Sequence, residues 1–472
     1  MITTNKKIFS NVFLMEIINY METKHYNVFV IGSGIAGQTA AEICAKNGLS
    51  VAIADKQAFG GTCAIRGCDP KKVLLQFADL MQKTEQLKGL GIEKVPEINW
   101  KHIQKFQKQF TKKVPKHTED DLTSLNIDLY HQSPKFISEN EIEVEGKRVS
   151  ADKFVIASGL TPRKLKFKGA EHLKISDAIF KLKKVPKSAT FIGSGYVGME
   201  FCYLLSTLGC KVTMIDRGSQ ALSQFDSFLV KKLVASMTEK GVEFIFDAEI
   251  TSVEKLRKNY RISYIKNDKK KTLKSNIVFN TSGRVPATEL LALENANIKN
   301  DESGIIVNDF LVNETNKNVF ACGDVSSKSL PLTPLSGLQG YIVGNNIVKE
   351  NSKEFSNPLV PSVVFTHPNL ATVGYSEKEA KKRYKNIIVF KGDVSNWYNA
   401  KKANEKLYAY KIIANKRTNE IVGAHLLSLQ ANETINIFTI AINNKMTTDE
   451  FKKMIFTYPS YASDLKSMFK DS

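Results

Sequence analysis

Apolar and polar positions alternate in blocks along this chain, and two of those blocks repeat. The run Val28-Phe-Val-Ile31 leads into a glycine-rich turn, a helical stretch ending near Gly48, and a second apolar segment from Val51 to Asp55. The run Ala189-Thr-Phe-Ile192 leads into the same succession, ending at Gly209, Val212 and Asp216. Each block predicts strand, tight turn, helix and strand. Between them, Val73–Met81 has the apolar spacing of an amphipathic helix. Lysine runs such as Lys269–Lys271 sit between apparent strands and predict a solvated turn. The longest uncharged stretch, Leu330–Val348, is broken by prolines, glycines and polar residues, so it predicts no membrane span. Ile8–Ile18 is largely apolar but lacks a small-residue cleavage site. Residues 1–20 therefore read as an extension ahead of the fold, with Met21 as an alternative start, and the cytoplasm as the default compartment.

Composition changes this picture little. The 472 residues are 42% hydrophobic and 24% charged, which fits a soluble globular chain of about three domains. Six cysteines are too few for a disulfide scaffold. The net charge of +19 invites a nucleic-acid or membrane-surface reading. Yet only 9 of the 67 basic residues are Arg, and they form no cluster. Recognition of phosphate and bases favours the planar arginine fork, so a lysine-rich solvated surface is the reading, with no nucleic-acid or membrane partner.

The two blocks carry chemistry. Gly32, Gly34, Gly37, Gly48 and Asp55 each reappear 161 residues later, as Gly193, Gly195, Gly198, Gly209 and Asp216. In a GxGxxG turn the first glycine permits the turn, the second lets a pyrophosphate approach the backbone, and the third lets helix and sheet pack closely. The helix N-terminus then offers free N–H groups to the phosphates, and the acid ending the next strand can accept from ribose hydroxyls. Two dinucleotide sites in one chain suggest the two halves of an electron-transfer reaction.

A close cysteine pair follows the first block, in Gly60-Gly-Thr-Cys-Ala-Ile-Arg-Gly-Cys-Asp-Pro-Lys-Lys72. Pro70 suits the first turn of the helix beyond it. Cys63 and Cys68 lie near that terminus, and Lys71 and Lys72 add positive charge that favours a thiolate. In a cytosolic protein such a pair suggests redox chemistry or metal binding, but zinc would need further ligands and no second pair is near, so no metal is expected. Cys44, Cys202, Cys210 and Cys322 lie scattered in apolar settings and read as inert.

From about residue 25 to the C-terminus, these motifs resemble the flavoprotein disulfide reductases, the family of glutathione reductase, dihydrolipoamide dehydrogenase and mercuric reductase. Phe154–Pro162 looks like the crossover into that family's nicotinamide domain, and Thr281–Pro286 like the return. Asn318–Asp324 is similar to its second FAD fingerprint, and Leu332-Thr-Pro334 to the start of a helix facing the flavin. Pro361–Gly374 resembles the opening of the dimerisation domain. The resemblance implies an α/β fold with two Rossmann-like domains and an α+β dimerisation domain. The segments would be 1–23 (extension), 24–150 and 284–358 (FAD), 151–283 (NAD(P)) and 359–472 (interface). It implies a homodimer that passes electrons from NAD(P)H through FAD to a Cys63–Cys68 disulfide, and then to a small-molecule disulfide or other acceptor.

Site residues follow by resemblance. The FAD site would comprise Gly32, Gly34, Ile35, Ala36, Gly37, Asp55, Gly61, Thr62, Lys71, Ser158, Gly159, Asp324 and Thr333. The NAD(P) site would comprise Gly193, Gly195, Tyr196, Val197, Gly198, Glu200, Asp216, Arg217 and Gly283. Cys63 would be the interchange thiol and Cys68 the thiol nearest the flavin. Lys71 would pair with Glu200 across the two domains, and Tyr196 would cover the flavin. His367 reads as structural. Asp216 favours NADH, although Arg217, Lys211 or a nearby lysine could instead hold a 2′-phosphate.

One motif departs from the family. Its reductases end on His-Pro-Thr-x-x-Glu, whose His is the acid–base at the partner's thiol; here the stretch is Thr457-Tyr-Pro-Ser-Tyr-Ala-Ser-Asp464. Tyr458 stands at the His position and Ser463 at the Glu position. A phenol of pKa ~10 is a poor base at neutral pH, which places glutathione or lipoamide turnover in question. Mercuric reductase shares the Tyr but also carries a C-terminal cysteine pair, whereas the last cysteine here is Cys322, so Hg(II) delivery by that route is not expected. Two alternatives stand beside a glutathione-reductase-like enzyme: mercuric-reductase-like or dihydrolipoamide-dehydrogenase-like activity, and a redox-sensing flavoprotein with little turnover.

Overall fold

A strand buried on both faces needs a continuous apolar run, and it finds its place inside a parallel sheet. Lys24–Ile31 is such a strand, with Val28–Ile31 all buried. In this computed structural model, which describes residues 23–350 and 352–470, it pairs in parallel with Val51–Ala54 on one side and Lys147–Ile156 on the other. Asp128–Tyr130 extends the sheet beyond Val51–Ala54, and Val319–Ala321 pairs in parallel with Phe154–Ile156. An antiparallel hairpin, Glu141–Val144 with Lys147–Ser150, closes through Glu145 and Gly146, both at positive φ as a tight hairpin demands. The reading of residues 1–20 and Met21 falls outside the described residues.

The chain folds into two compact units. The first holds the described residues up to Pro70, with Gln107–Thr161 and Arg284–Asn357. Its glycine-loop helix, Ile35–Lys46, packs against Thr333–Val348. Backbones meet there closely, because a Cβ on Gly340 would strike the Ala36 backbone.

The second unit holds Lys71–Phe106, Pro162–Gly283 and the chain from Pro358 onward. Ser188–Ile192 lies between Lys211–Ile215 and Ile277–Asn280 in a second parallel sheet, with Glu243–Ile245 at its edge. Beside it stands an antiparallel sheet of Glu249–Lys255, Tyr260–Lys266 and Lys269–Ser275. The expected lysine turn is corrected here. Lys269–Lys271 begin an exposed edge strand, and the turn falls on Asn267 and Asp268, both at positive φ. The C-terminal sheet is antiparallel, in the order Ser362–Val364, Asn369–Gly374, Ile421–Ser428, Ala409–Asn415, Ile387–Asp393, covered by the helix Ala431–Asn443.

The helix Cys68–Gln86 explains why Lys71–Phe106, expected with the first nucleotide domain, groups with the second unit. Its apolar stripe, Leu74, Leu75 and Ala78, shares a core with Trp100, Ile103, Met199 and Phe201. The Trp100 indole donates to the Leu182 carbonyl at 2.8 Å. A buried ion pair also joins parts of this unit: Lys411 Nζ sits 2.7 Å from Asp226, the N-cap of Ser227–Glu239, and 3.1 Å from Glu377. Among the described residues no helix is long and apolar enough to cross a membrane.

Candidate active site

A glycine loop has no side chains with which to hold its own shape, so the shape must be fixed from outside. Here a serine and an aspartate do so, identically in both units. In the first, Asp55 Oδ2 accepts from the Ser33 N–H at 2.9 Å and from its hydroxyl at 2.7 Å, while Oδ1 accepts from Gln57 N–H at 2.9 Å. In the second, Asp216 Oδ2 accepts from the Ser194 N–H and hydroxyl, both at 2.6 Å, and Oδ1 from Gly218 N–H at 2.7 Å. Each carboxylate is thus turned largely onto its own loop, with acceptor capacity left on Oδ1. The serines were not expected as site residues, yet Ser33 and Ser194 are themselves 161 positions apart, and that repeat was a signal for them.

The glycines divide their work as the spacing predicts. Side chains on Gly32 or Gly37 would collide with Ala157 or with the loop backbone, and on Gly193 or Gly198 with Ser282 or with Gly193 itself. Beside Gly34 and Gly195, by contrast, a Cβ would meet nothing within 4 Å. Those two residues cap the helices Ile35–Lys46 and Tyr196–Thr207 without any side-chain hydrogen bond, so the first-turn N–H groups face open space. Both loops fit a pyrophosphate. The first unit adds the Ser158 hydroxyl, buried with no partner, and Asp324, whose carboxyl burial pushes upward while the Ser336 hydroxyl donates to it at 3.0 Å. Arg217 is exposed beside the second loop, and Gly283 has φ of 118°.

The cysteine pair sits in the first unit. Gly61 approaches Gly34 so closely that a Cβ would collide, and it opens the short helix Gly61–Arg66 that carries Cys63. Cys68 is the first residue of the next helix, Cys68–Gln86, with Pro70 in its first turn. A sulfur at that end gains from the helix dipole. Cys63 hydrogen-bonds Cys68, and this bond together with burial pushes the Cys63 thiol well above its ordinary value. The Thr333 hydroxyl, 3.0 Å from Cys63 Sγ, pulls in the opposite direction. Thr333 was expected only at the flavin. Cys44, Cys202, Cys210 and Cys322 are all buried, with thiols pushed up by that burial.

Residues 26–340 match the pyridine nucleotide-disulphide oxidoreductase family, and residues 360–469 match that family's dimerisation domain. The chain belongs to this family. It is 30% identical over 460 residues to a glutathione reductase of Nostoc, covering 94% of this chain and all of the relative. It is 27% identical over 459 residues to a mercuric reductase of Lysinibacillus sphaericus, covering 96% of this chain and 83% of the relative. Among solved structures, a Cu(II) complex of the HOCl-induced flavoprotein disulfide reductase RclA from Escherichia coli, a cysteine-to-serine mutant, superposes with a TM-score of 0.84. The identity is 25%, over 95% of this chain and 99% of that one. Membership makes the chain an FAD-dependent oxidoreductase of the glutathione and mercuric reductase type, and its dimerisation domain supports a homodimer.

In a family enzyme the second unit's charged centre gains interest. Lys71 Nζ lies 2.5 Å from Glu200 Oε2, and both residues belong to this one unit. Lys72, expected only to add positive charge near the cysteines, reaches the same oxygen at 2.9 Å, and Phe365 N–H donates to Oε1 at 3.0 Å. Burial alone would push the Glu200 carboxyl up, but the two lysines and the Phe365 bond hold it below the usual range. Lys71 also lies 5.5 Å from the ring centre of Tyr196. His367 is buried against Tyr203, its ring stacked at 17°.

Tyr458 is 75% exposed on a loop whose Tyr458–Pro459 bond is cis. Its ring stacks on Tyr398, with centres 6.5 Å apart. Ser463 is spent on the turn itself, its hydroxyl donating to Ser460 O at 2.6 Å and accepting from Ser460 N–H at 3.3 Å in a capping box. Asp464 is turned to Asn399.

Glu200→Gln removes the carboxylate that Lys71 and Lys72 share, and breaking a buried pair costs about 3–5 kcal/mol. Denaturant melts at neutral pH should show a loss of that order. Because the folded carboxyl is depressed, its contribution is present above the ordinary carboxylate pKa and fades as pH falls through the folded value. The gap between wild type and variant should therefore narrow in melts below about pH 4.

Proposed function

We propose that the chain is an NAD(P)H-dependent flavoprotein oxidoreductase that delivers electrons through Cys63 and Cys68 to an acceptor needing no imidazole at the thiol. The observation that carries this reading is the hydrogen-bonded Cys63–Cys68 pair beneath Thr333, combined with a tyrosine, Tyr458, at the acid–base position. FAD, which Gly32–Gly37, Asp55, Gly61, Thr62, Ser158, Gly159, Asp324 and Thr333 would hold, supplies the two-electron relay between nicotinamide and sulfur. The chain's own residues do the rest. With both sulfurs reduced, formation of the Cys63–Cys68 bond releases two electrons to the acceptor and two protons.

On a disulfide acceptor, the Cys63 thiolate would attack one sulfur, form a mixed disulfide and expel a thiolate that needs a proton. Attack of Cys68 on Cys63 would then expel the second. In the dimer we place Tyr458 opposite the partner subunit's Cys63, where a phenol can donate a hydrogen bond but does not cycle as a base at neutral pH. A metal-ion acceptor expels no thiolate. The mercuric reductase relatives and the Cu(II) complex of the solved neighbour favour that class as the second reading. Turnover across glutathione disulfide, lipoamide, quinones, Hg(II) and Cu(II) decides between them. Rapid flavin reduction with no turnover on any of them would replace the enzyme reading by that of a redox sensor.

Three outcomes are expected. Two-electron reduction should give the long-wavelength absorbance of a thiolate beside flavin; it should vanish in Cys68→Ser and persist in Cys63→Ser. The reverse pattern exchanges the two roles. Steady-state kinetics should favour NADH, because Asp216 with one acceptor site remaining suits ribose hydroxyls better than a 2′-phosphate. A KM for NADPH lower by about tenfold would reverse this, and Arg217 would then be the phosphate ligand. Glutathione-disulfide turnover should be low in the wild type and should rise in Tyr458→His, with Ser463→Glu added to orient the ring. Wild-type rates typical of a dedicated glutathione reductase would show that the imidazole is not needed.

A further inference from the structure

The segment that carries Tyr458 is held from behind by a buried polar cluster that plays no part in the chemistry above. Asn399 is the centre of it. Its Nδ2 donates to Ser460 O and to Asp464 Oδ1, both at 2.9 Å, so the amide is oriented by two acceptors. The adjacent Tyr398 is the residue whose ring stacks on Tyr458. The short helix Tyr398–Lys402 is thus joined to the Tyr458 loop by a hydrogen bond on one residue and a ring contact on the next.

Behind Asn399 lies Glu405, 3% exposed. Its Oε1 accepts from Leu429 N–H at 2.8 Å, and its Oε2 accepts from the Tyr461 hydroxyl at 2.7 Å. The same hydroxyl is 3.4 Å from the Asn399 carbonyl. That geometry allows two settings. With Glu405 ionised, Tyr461 donates to the carboxylate. When Glu405 takes up one proton from solvent on Oε2, the acid donates to the phenol oxygen, and the phenol proton turns to the Asn399 carbonyl. Every donor is satisfied in both settings, but only the second ties Tyr461 to the helix beneath Tyr458.

We propose that Glu405, acting through Tyr461 and Asn399, is a positioning residue for Tyr458, and that its protonation fastens the Tyr458 loop to the Tyr398–Lys402 helix. Its relevance to turnover rests on the reading that Tyr458 faces the acceptor. The groups around Glu405 set the switch at a useful pH. Burial, with Asp464 adding like charge, pushes its carboxyl up to about 7 against the Tyr461 and Leu429 bonds. Asp464 is itself pushed up by burial, with Asn399, Tyr408 and Lys402 opposing. Asn399 Oδ1 is buried without a hydrogen-bond partner.

The test places a reporter on the loop in the full-length FAD-loaded dimer. Tyr458→Trp adds an indole whose emission is followed from about pH 5.5 to about 8.5, against the parent protein as background. A transition centred near neutrality is expected. Glu405→Gln removes a buried charge while keeping shape: its amide accepts from Leu429, donates to Tyr461, and reproduces the protonated setting. In that background the transition should be lost, with emission fixed at its low-pH value, and Tyr461→Phe should abolish it too. A transition that persists unchanged in Glu405→Gln, or is absent with Glu405 in place, overturns the proposal. Acceptor reduction is measured separately. If the transition obeys Glu405 but Tyr458→Phe reduces acceptors like wild type, the relay stands and the acceptor-facing reading of Tyr458 fails.

Discussion

Both nucleotide loops depend on one interaction, the clasp between a loop serine and the aspartate that ends the neighbouring strand. A loop of Gly-Ser-Gly could take many backbone courses. Two short hydrogen bonds from Ser33, or from Ser194, select one of them and aim the helix N-terminus at the space beside Gly34 or Gly195. The price is that most of each carboxylate's accepting capacity is used before any ribose arrives. The acid at the end of the strand is therefore a structural part first and a ligand-binding part second.

Much of this was legible in the sequence, because the repeat is strict and each element in it has a physical reason. Apolar runs became parallel strands buried on both faces, and the glycine spacing became a tight turn, an open approach and a close packing contact. What escaped was whatever depends on residues distant in sequence. Phe365 N–H reaches Glu200 from a segment 165 positions away, and Lys72 differs from Lys71 in no local feature that would mark it as the second ligand of the same oxygen. Nor does periodicity separate a lysine-rich turn from a lysine-rich edge strand. The true turn, Asn267–Asp268, was the better signal, since asparagine and aspartate tolerate positive φ where most residues do not.

The redox pair owes its character as much to the other cysteines as to itself. Four thiols are closed inside apolar cores where the thiolate is disfavoured, so they behave as small hydrophobes. Cys63, half-buried, and Cys68, exposed at a helix start, instead hydrogen-bond each other. Burial keeps the four interior thiols protonated and out of reach of the chemistry at the paired cysteines.

The edge strand Lys269–Ser275 has a bearing on how this protein behaves in a crowded solution. An unpaired strand edge is a template on which another chain can add by backbone hydrogen bonding. Here the template opens with three consecutive lysines, and Lys274 follows. A strand from a second copy laid alongside in parallel register would set ammonium against ammonium at four of its seven positions. The backbone groups remain available, yet the sheet ends there, and fibril-like growth from this edge is opposed by charge alone.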